Sequence, residues 1–105
     1  MQEVKDIKEI AAAVNEGRKI ALLFSHEHCA ACPQVEAHLE ENRRSAEDMG
    51  WQVCKFNVIR LQPLPDWHVT SVPAVLIFAG GGVARAWRRS EGSILRALAE
   101  IDDAE

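Results

Sequence analysis

Positive charge is what this sequence most lacks. Twelve basic residues stand against 16 acidic ones, a formal net charge of -4 over 105 residues, so the broad cationic field with which a nucleic-acid binder captures phosphates is absent. Long apolar runs are missing as well. The longest stretch free of Lys, Arg, Asp and Glu, from Trp67 to Ala84, is broken by His68, Pro73 and the Gly80-Gly81-Gly82 run, whereas a membrane span needs about 20 predominantly apolar residues. The first ten residues, MQEVKDIKEI, carry charges where a secretory signal needs an apolar segment, and the expected location is therefore the cytoplasm. Cysteine is scarce too. Three residues, Cys29, Cys32 and Cys54, are too few and too uneven for a disulfide framework, and the close spacing of the first two points to redox or metal chemistry.

With no internal repeat, low-complexity tract or linker, and with 48% hydrophobic residues, the chain is expected to form one domain, 1–105, around a single core. Ile7, Ile10, Ala11 and Val14 recur at helical spacing, predicting a helix over 5–16 that stops at Gly17. Ile20 to Phe24 is an unbroken apolar run of strand length, the pattern of a strand buried on both faces. A second amphipathic helix is predicted from Ala30 to Met49, then a strand over 51–59 with Cys54, Phe56 and Val58 on one side. Residues 60–71, with Pro63 and Pro65, read as a loop with at most a turn or two of helix. Ala74 to Ala79 and Val83 to Arg88 should pair as a hairpin through the glycine turn, and Ser90 is placed to cap a last helix through Glu100, followed by a fraying tail from Asp102. Strand-helix-strand first and a hairpin later imply a mixed central sheet in an α/β domain of three layers.

Cys29 and Cys32 fall where a buried strand hands over to a helix. The N–H groups of a first helical turn favour a thiolate on Cys29, and an offset of three lets Cys32 attack a mixed disulfide formed there. The same segment supports a rival reading, because His26, His28, Cys29 and Cys32 amount to a zinc or copper ligand set.

At this point the chain resembles the thioredoxin family, through Phe24 before the pair, Cys29-Ala30-Ala31-Cys32, Lys55-Phe56-Asn57-Val58 on the next strand, and Ser71-Val72-Pro73-Ala74 before the hairpin. The resemblance spans nearly the whole chain. It implies a thioredoxin-like three-layer α/β/α sandwich, Cys29 as nucleophile, Cys32 as resolving thiol, a cis Val72–Pro73 bond facing the pair, and a Val72 backbone offered to an extended substrate segment. It also implies protein disulfide substrates, an upstream reductase, no bound cofactor, and no nucleic-acid or membrane partner; a monomer is expected. Departures from the family pattern accompany the matches. Family members usually carry a buried acid six residues before the first cysteine, and Leu23 stands there, leaving Glu27, Lys55, His26, His28 or water to accept the Cys32 proton. His28 takes the place of the usual Trp before Cys29, where a cationic imidazole would lower the thiol pKa and make the couple more oxidising. The missing acid also leaves open a redox-inactive thioredoxin-like interaction module.

The remaining residues have plainer readings. Cys54 reads as a small core hydrophobe, with a regulatory thiol as the alternative, Trp51 and Trp87 as strand-end or sheet-face packing, and Trp67, near the rim of the substrate groove, as either a partner contact or core packing. Arg85, Trp87, Arg88 and Arg89 make a basic stretch on an edge strand, where charge guards against edge-to-edge pairing; a site for an acidic partner is the alternative reading. His38 and His68 have no partner visible in the sequence and are expected at the surface.

Overall fold

In the computed structural model, which describes residues 1–58, 67 and 69–104, five strands form one mixed sheet in the order β1-β3-β2-β4-β5. The elements follow the chain as β1 (Gln2–Val4), α1 (Ile7–Asn15), β2 (Ile20–Ser25), α2 (Cys32–Asp48), β3 (Gln52–Asn57), β4 (Ala74–Ala79), β5 (Gly82–Trp87) and α3 (Ile94–Ala104). β3 runs parallel to both β1 and β2; β4 is antiparallel to β2, and β5 to β4.

Central β2 is buried along its whole length, and its side chains alternate between two cores. Ile20, Leu22 and Phe24 meet Ile7, Ile10 and Val14 of α1, together with Cys54 and Phe56 of β3. Ala21 and Leu23 meet Val35 and Leu39 of α2, and Ala97 and Leu98 of α3. One helix therefore covers one face and two cover the other, which is the three-layer α/β/α sandwich expected. The same alternation puts Lys55 on the α2 side of β3, next to Leu23 in register.

Several boundaries differ from the sequence expectations for physical reasons. β1 was not anticipated, since three residues with one buried position, Val4, leave no periodicity to read. Ser90 does not cap the last helix. Arg89–Glu91 form a single 3-10 turn, Gly92 breaks the chain at φ 101°, and α3 starts at Ile94 with Ser93 Oγ accepting the Leu95 N–H at 3.2 Å. Nor does the chain fray from Asp102: the helix runs to Ala104, because the Asp102 carboxylate meets Lys19 Nζ at 2.6 Å and the Trp51 indole N–H at 3.2 Å. In the β4–β5 hairpin the two turn residues are Gly80 and Gly81, at φ 68° and 96°, a left-handed pair that glycine adopts without strain. The expected loop over 60–71 lies outside the described residues except for 67 and 69–71, and His68 lies outside them entirely.

Candidate functional site

β2 ends at Ser25, whose hydroxyl donates to Asn57 Oδ1 of β3 at 2.8 Å, and the chain then turns outward. That turn is closed by the Cys29 N–H to the His26 carbonyl (3.1 Å) and the His28 N–H to His26 Nδ1 (3.1 Å). α2 starts at Cys32, later than the predicted Ala30, with Pro33 in the first turn, where a missing N–H costs nothing. Cys29 and Cys32 are joined in a disulfide with their Cα atoms 5.4 Å apart. Their environments differ. Cys29 is partly exposed, while Cys32 is only 3% exposed and directs its backbone N–H onto Cys29 Sγ at 3.1 Å. When the bond is reduced, that donor and the positive end of α2 favour a thiolate on the outer sulfur.

Both cysteines line a cavity of about 240 Å³, shared with His26, Glu27, Glu36, Lys55 and Asn57. Lys55 Nζ and Glu36 Oε1 form an ion pair here at 2.8 Å. Glu36 was missed in the sequence, although its signal was there: it lies four residues after Cys32 and so on the same side of α2. Glu27 and His28 pair with each other at 3.4 Å but are both 81% exposed. On the other side of the disulfide lies a groove of about 490 Å³ whose walls include Ala31, Gln34, Pro73, Trp87, Arg88 and Arg89. The Val72–Pro73 peptide bond is cis.

Other candidates fall elsewhere. Trp67 packs edge-on against Phe24 and Phe78, at 6.3 and 4.8 Å between ring centres, in the α1-side core rather than in either cavity. His38 is not a free surface residue: its Nε2 accepts the Ile94 N–H at 3.1 Å and its ring stacks on Trp87 at 5.6 Å. Cys54 is fully buried, and that burial pushes its thiol up to about 11. Among the described residues no group of three or more His, Cys, Asp or Glu side chains is arranged to hold a metal ion, and His26, His28, Cys29 and Cys32 do not converge on one centre. No helix among the described residues is long and apolar enough to cross a membrane.

The architecture of this chain is shared by solved structures. Mitochondrial thioredoxin 3 of Saccharomyces cerevisiae, in its oxidized form, superposes with a TM-score of 0.68 at 16% identity, covering 84% of this chain and 82% of that one. The chain has a thioredoxin fold. Thioredoxin O2 of Arabidopsis thaliana, also oxidized, matches at a TM-score of 0.63 and 17% identity over 98% of this chain and 91% of its own. A mutant thioredoxin from Halobacterium salinarum gives 0.65 and 23% over 82% and 74%. No protein-family model and no curated protein sequence matches the chain. The thioredoxin fold, the Cys29–Cys32 pair and the cavities on either side of it together suggest thiol–disulfide oxidoreductase chemistry.

Proposed function

We propose that the protein exchanges disulfides with protein substrates, with Cys29 as nucleophile and Cys32 as resolving thiol. The reading is carried by the asymmetry of the pair: one sulfur is accessible and receives a backbone N–H at 3.1 Å, and the other is buried behind it. In the reduced protein the Cys29 thiolate attacks one sulfur of a substrate disulfide. That S–S bond breaks, the departing substrate thiolate takes a proton from water, and a mixed disulfide remains on Cys29. Cys32 then gives its proton to the Glu36 carboxylate, which shares its cavity, and attacks Cys29 Sγ. The mixed disulfide breaks and the second substrate thiol leaves. The substrate gains two electrons, and the protein holds the Cys29–Cys32 disulfide for an upstream dithiol reductase to reopen.

Lys55 pairs with Glu36 at 2.8 Å beside the sulfurs and offsets its repulsion of a thiolate. His28, next to Cys29 along the chain, and Glu27, which lines the same cavity, tune the outer sulfur, and the Val72 backbone receives the substrate chain. The protein acts as a monomer in a reducing cytoplasm and needs no bound cofactor. Insulin reduction by dithiothreitol, followed by turbidity, tests this reading. Wild type should accelerate it and Cys29→Ser should not; equal rates would leave the fold as an interaction module without turnover.

A further inference from the structure

The basic stretch at the end of β5 divides into two parts with different partners. Arg85 turns toward Glu91 of the 3-10 turn and Glu100 of α3, which take its guanidinium at 2.8 and 2.6 Å, so its charge is met within the protein. Arg88 and Arg89 are exposed, and among the described residues neither has a carboxylate within ion-pair distance. Arg89 Nη1 meets only the Gly92 carbonyl, at 3.2 Å. Glu91, the carboxylate nearest in sequence, is held by Arg85 and by the Arg88 backbone N–H at 2.7 Å. In a chain of net charge -4, these two cations are thus left over where acidic residues are plentiful.

Their position gives the surplus a use. Both arginines line the groove of about 490 Å³ that also includes Ala31, next to Cys32, and Pro73. A peptide whose cysteine meets Cys29 would run into that groove past Ala31 and Pro73, within two residues of Cys29 along the chain at Ala31. The floor is Trp87, fixed from below by the His38 ring at 5.6 Å, so the arginines stand at the rim of a wall that does not have to form on binding. Edge protection alone does not account for this placement, because Arg88 and Arg89 follow the last paired residue of β5 instead of lying along its ladder.

We infer that Arg88 and Arg89 make this groove selective for acidic peptide segments: the preferred substrates carry Asp or Glu within a few residues of the reactive cysteine. The inference rests on the disulfide-exchange reading and adds the class of substrate to it. Charges at the rim of a site act on encounter and partner choice and are screened by salt. Each rim ion pair contributes modestly, so two together should give a preference of about tenfold at low ionic strength.

The test uses the full reduced chain and synthetic peptides whose single cysteine is activated as a 2-pyridyl disulfide. The peptides differ only in carrying Glu, Gln or Lys at positions two to four residues to either side of the cysteine. Stopped-flow release of 2-thiopyridone gives the second-order rate constant at 20 and 200 mM salt. Wild type should prefer Glu over Lys peptides by about tenfold at low salt and about twofold or less at high salt. Joint substitution Arg88→Gln and Arg89→Gln should bring the low-salt preference to about twofold or less. Arg44→Gln, an exposed cation on α2, should leave it unchanged. Hydroxyethyl disulfide, which is small and neutral, should react equally with wild type and the double variant. The inference is overturned if wild type reacts alike with Glu and Lys peptides, if the preference survives the double substitution, or if Arg44→Gln abolishes it as well. Failure of the underlying reading looks different: hydroxyethyl disulfide and every peptide would then be inert even with wild type.

Discussion

Acidification should destabilise the protein through one imidazole. His38 Nε2 accepts the Ile94 N–H at 3.1 Å and therefore must hold a lone pair, which places the proton of the neutral ring on Nδ1. Ile94 opens α3 and is itself 1% exposed, so water cannot replace the acceptor. Partial burial, and then the positive charge of Arg89, hold His38 below the usual histidine value, with Glu41 opposing them more weakly. The unfolded chain thus takes up its proton near pH 6.5, before the native state does. Stability from this group is complete above that pH and falls as pH drops through 6.5 toward the lowered native value, by at most about 1.4 kcal/mol per pH unit. Urea unfolding at pH 7.5, 6.5 and 5.5 would show the decline in wild type. His38→Gln, which keeps an acceptor but does not titrate, should show much less. His38→Ala tests the size of the contact. It orphans a buried N–H, worth about 1–3 kcal/mol, and removes the stack on Trp87, worth about 1 kcal/mol. A loss of about 2–4 kcal/mol corresponds to a fall in Tm of roughly 10–20 °C for a domain of this size. Wild-type stability that stays flat between pH 7.5 and 5.5, or an equal decline in the Gln variant, would refute the reasoning.

Other consequences can be checked singly. Cys54, buried and with its thiol pushed up to about 11, should be silent to an aromatic disulfide reagent in the native oxidised protein, and one thiol per chain should appear on denaturation. Glu36→Gln should slow release of the second substrate thiol about tenfold at pH 7, well short of the range of about 10²–10⁴ set for a positioned base because water reaches this cavity. An unchanged or faster release would show that Lys55, freed of its partner, matters more than the base. Asp102→Asn should cost about 1 kcal/mol by weakening the Lys19 pair and the Trp51 hydrogen bond, measured by urea titration at pH 7. Lys19 and Trp51 hold the Asp102 carboxyl below its ordinary value, so this contribution should be present above about pH 4 and fade on acidification below it.

What could be read in the sequence depended on how far apart the partners lie along the chain. α1, β2 and α2 announce themselves through period 3.6 or through an unbroken apolar run, and the Cys29–Cys32 pair sits where those two signals meet. His38 could not be placed because Ile94 and Trp87, the residues that hold it, lie on α3 and β5, and Asp102 was misjudged for the same reason, its partners being Lys19 and Trp51. The start of α3 could have been found: Gly92, between Ser90 and the apolar run, marks a break that only Ser93 can follow as a cap.

Leu23 shows how the site follows from these constraints. It is fully buried between the strands of Lys55 and Val75, on the face covered by α2 and α3, and contributes about 2 kcal/mol of apolar burial there. An acid at that position would be a neighbour of Lys55 in the sheet. With leucine in its place β2 offers Lys55 no carboxylate, and Glu3, its partner in register on β1, is taken up by the Asn57 amide, so the Lys55 side chain, only 21% exposed, is met from α2. The residue of α2 one turn beyond Cys32 is Glu36. With no acid on β2, the counter-charge comes from the helix that carries the resolving cysteine, where the carboxylate reaches Lys55 at 2.8 Å and faces the same cavity as both sulfurs. On this argument Leu23→Asp should compete with Glu36 for Lys55, and restoring the strand acid in the Glu36→Gln background should recover part of the lost thiol release; a double variant as slow as Glu36→Gln alone would mean that the two carboxylates are not interchangeable.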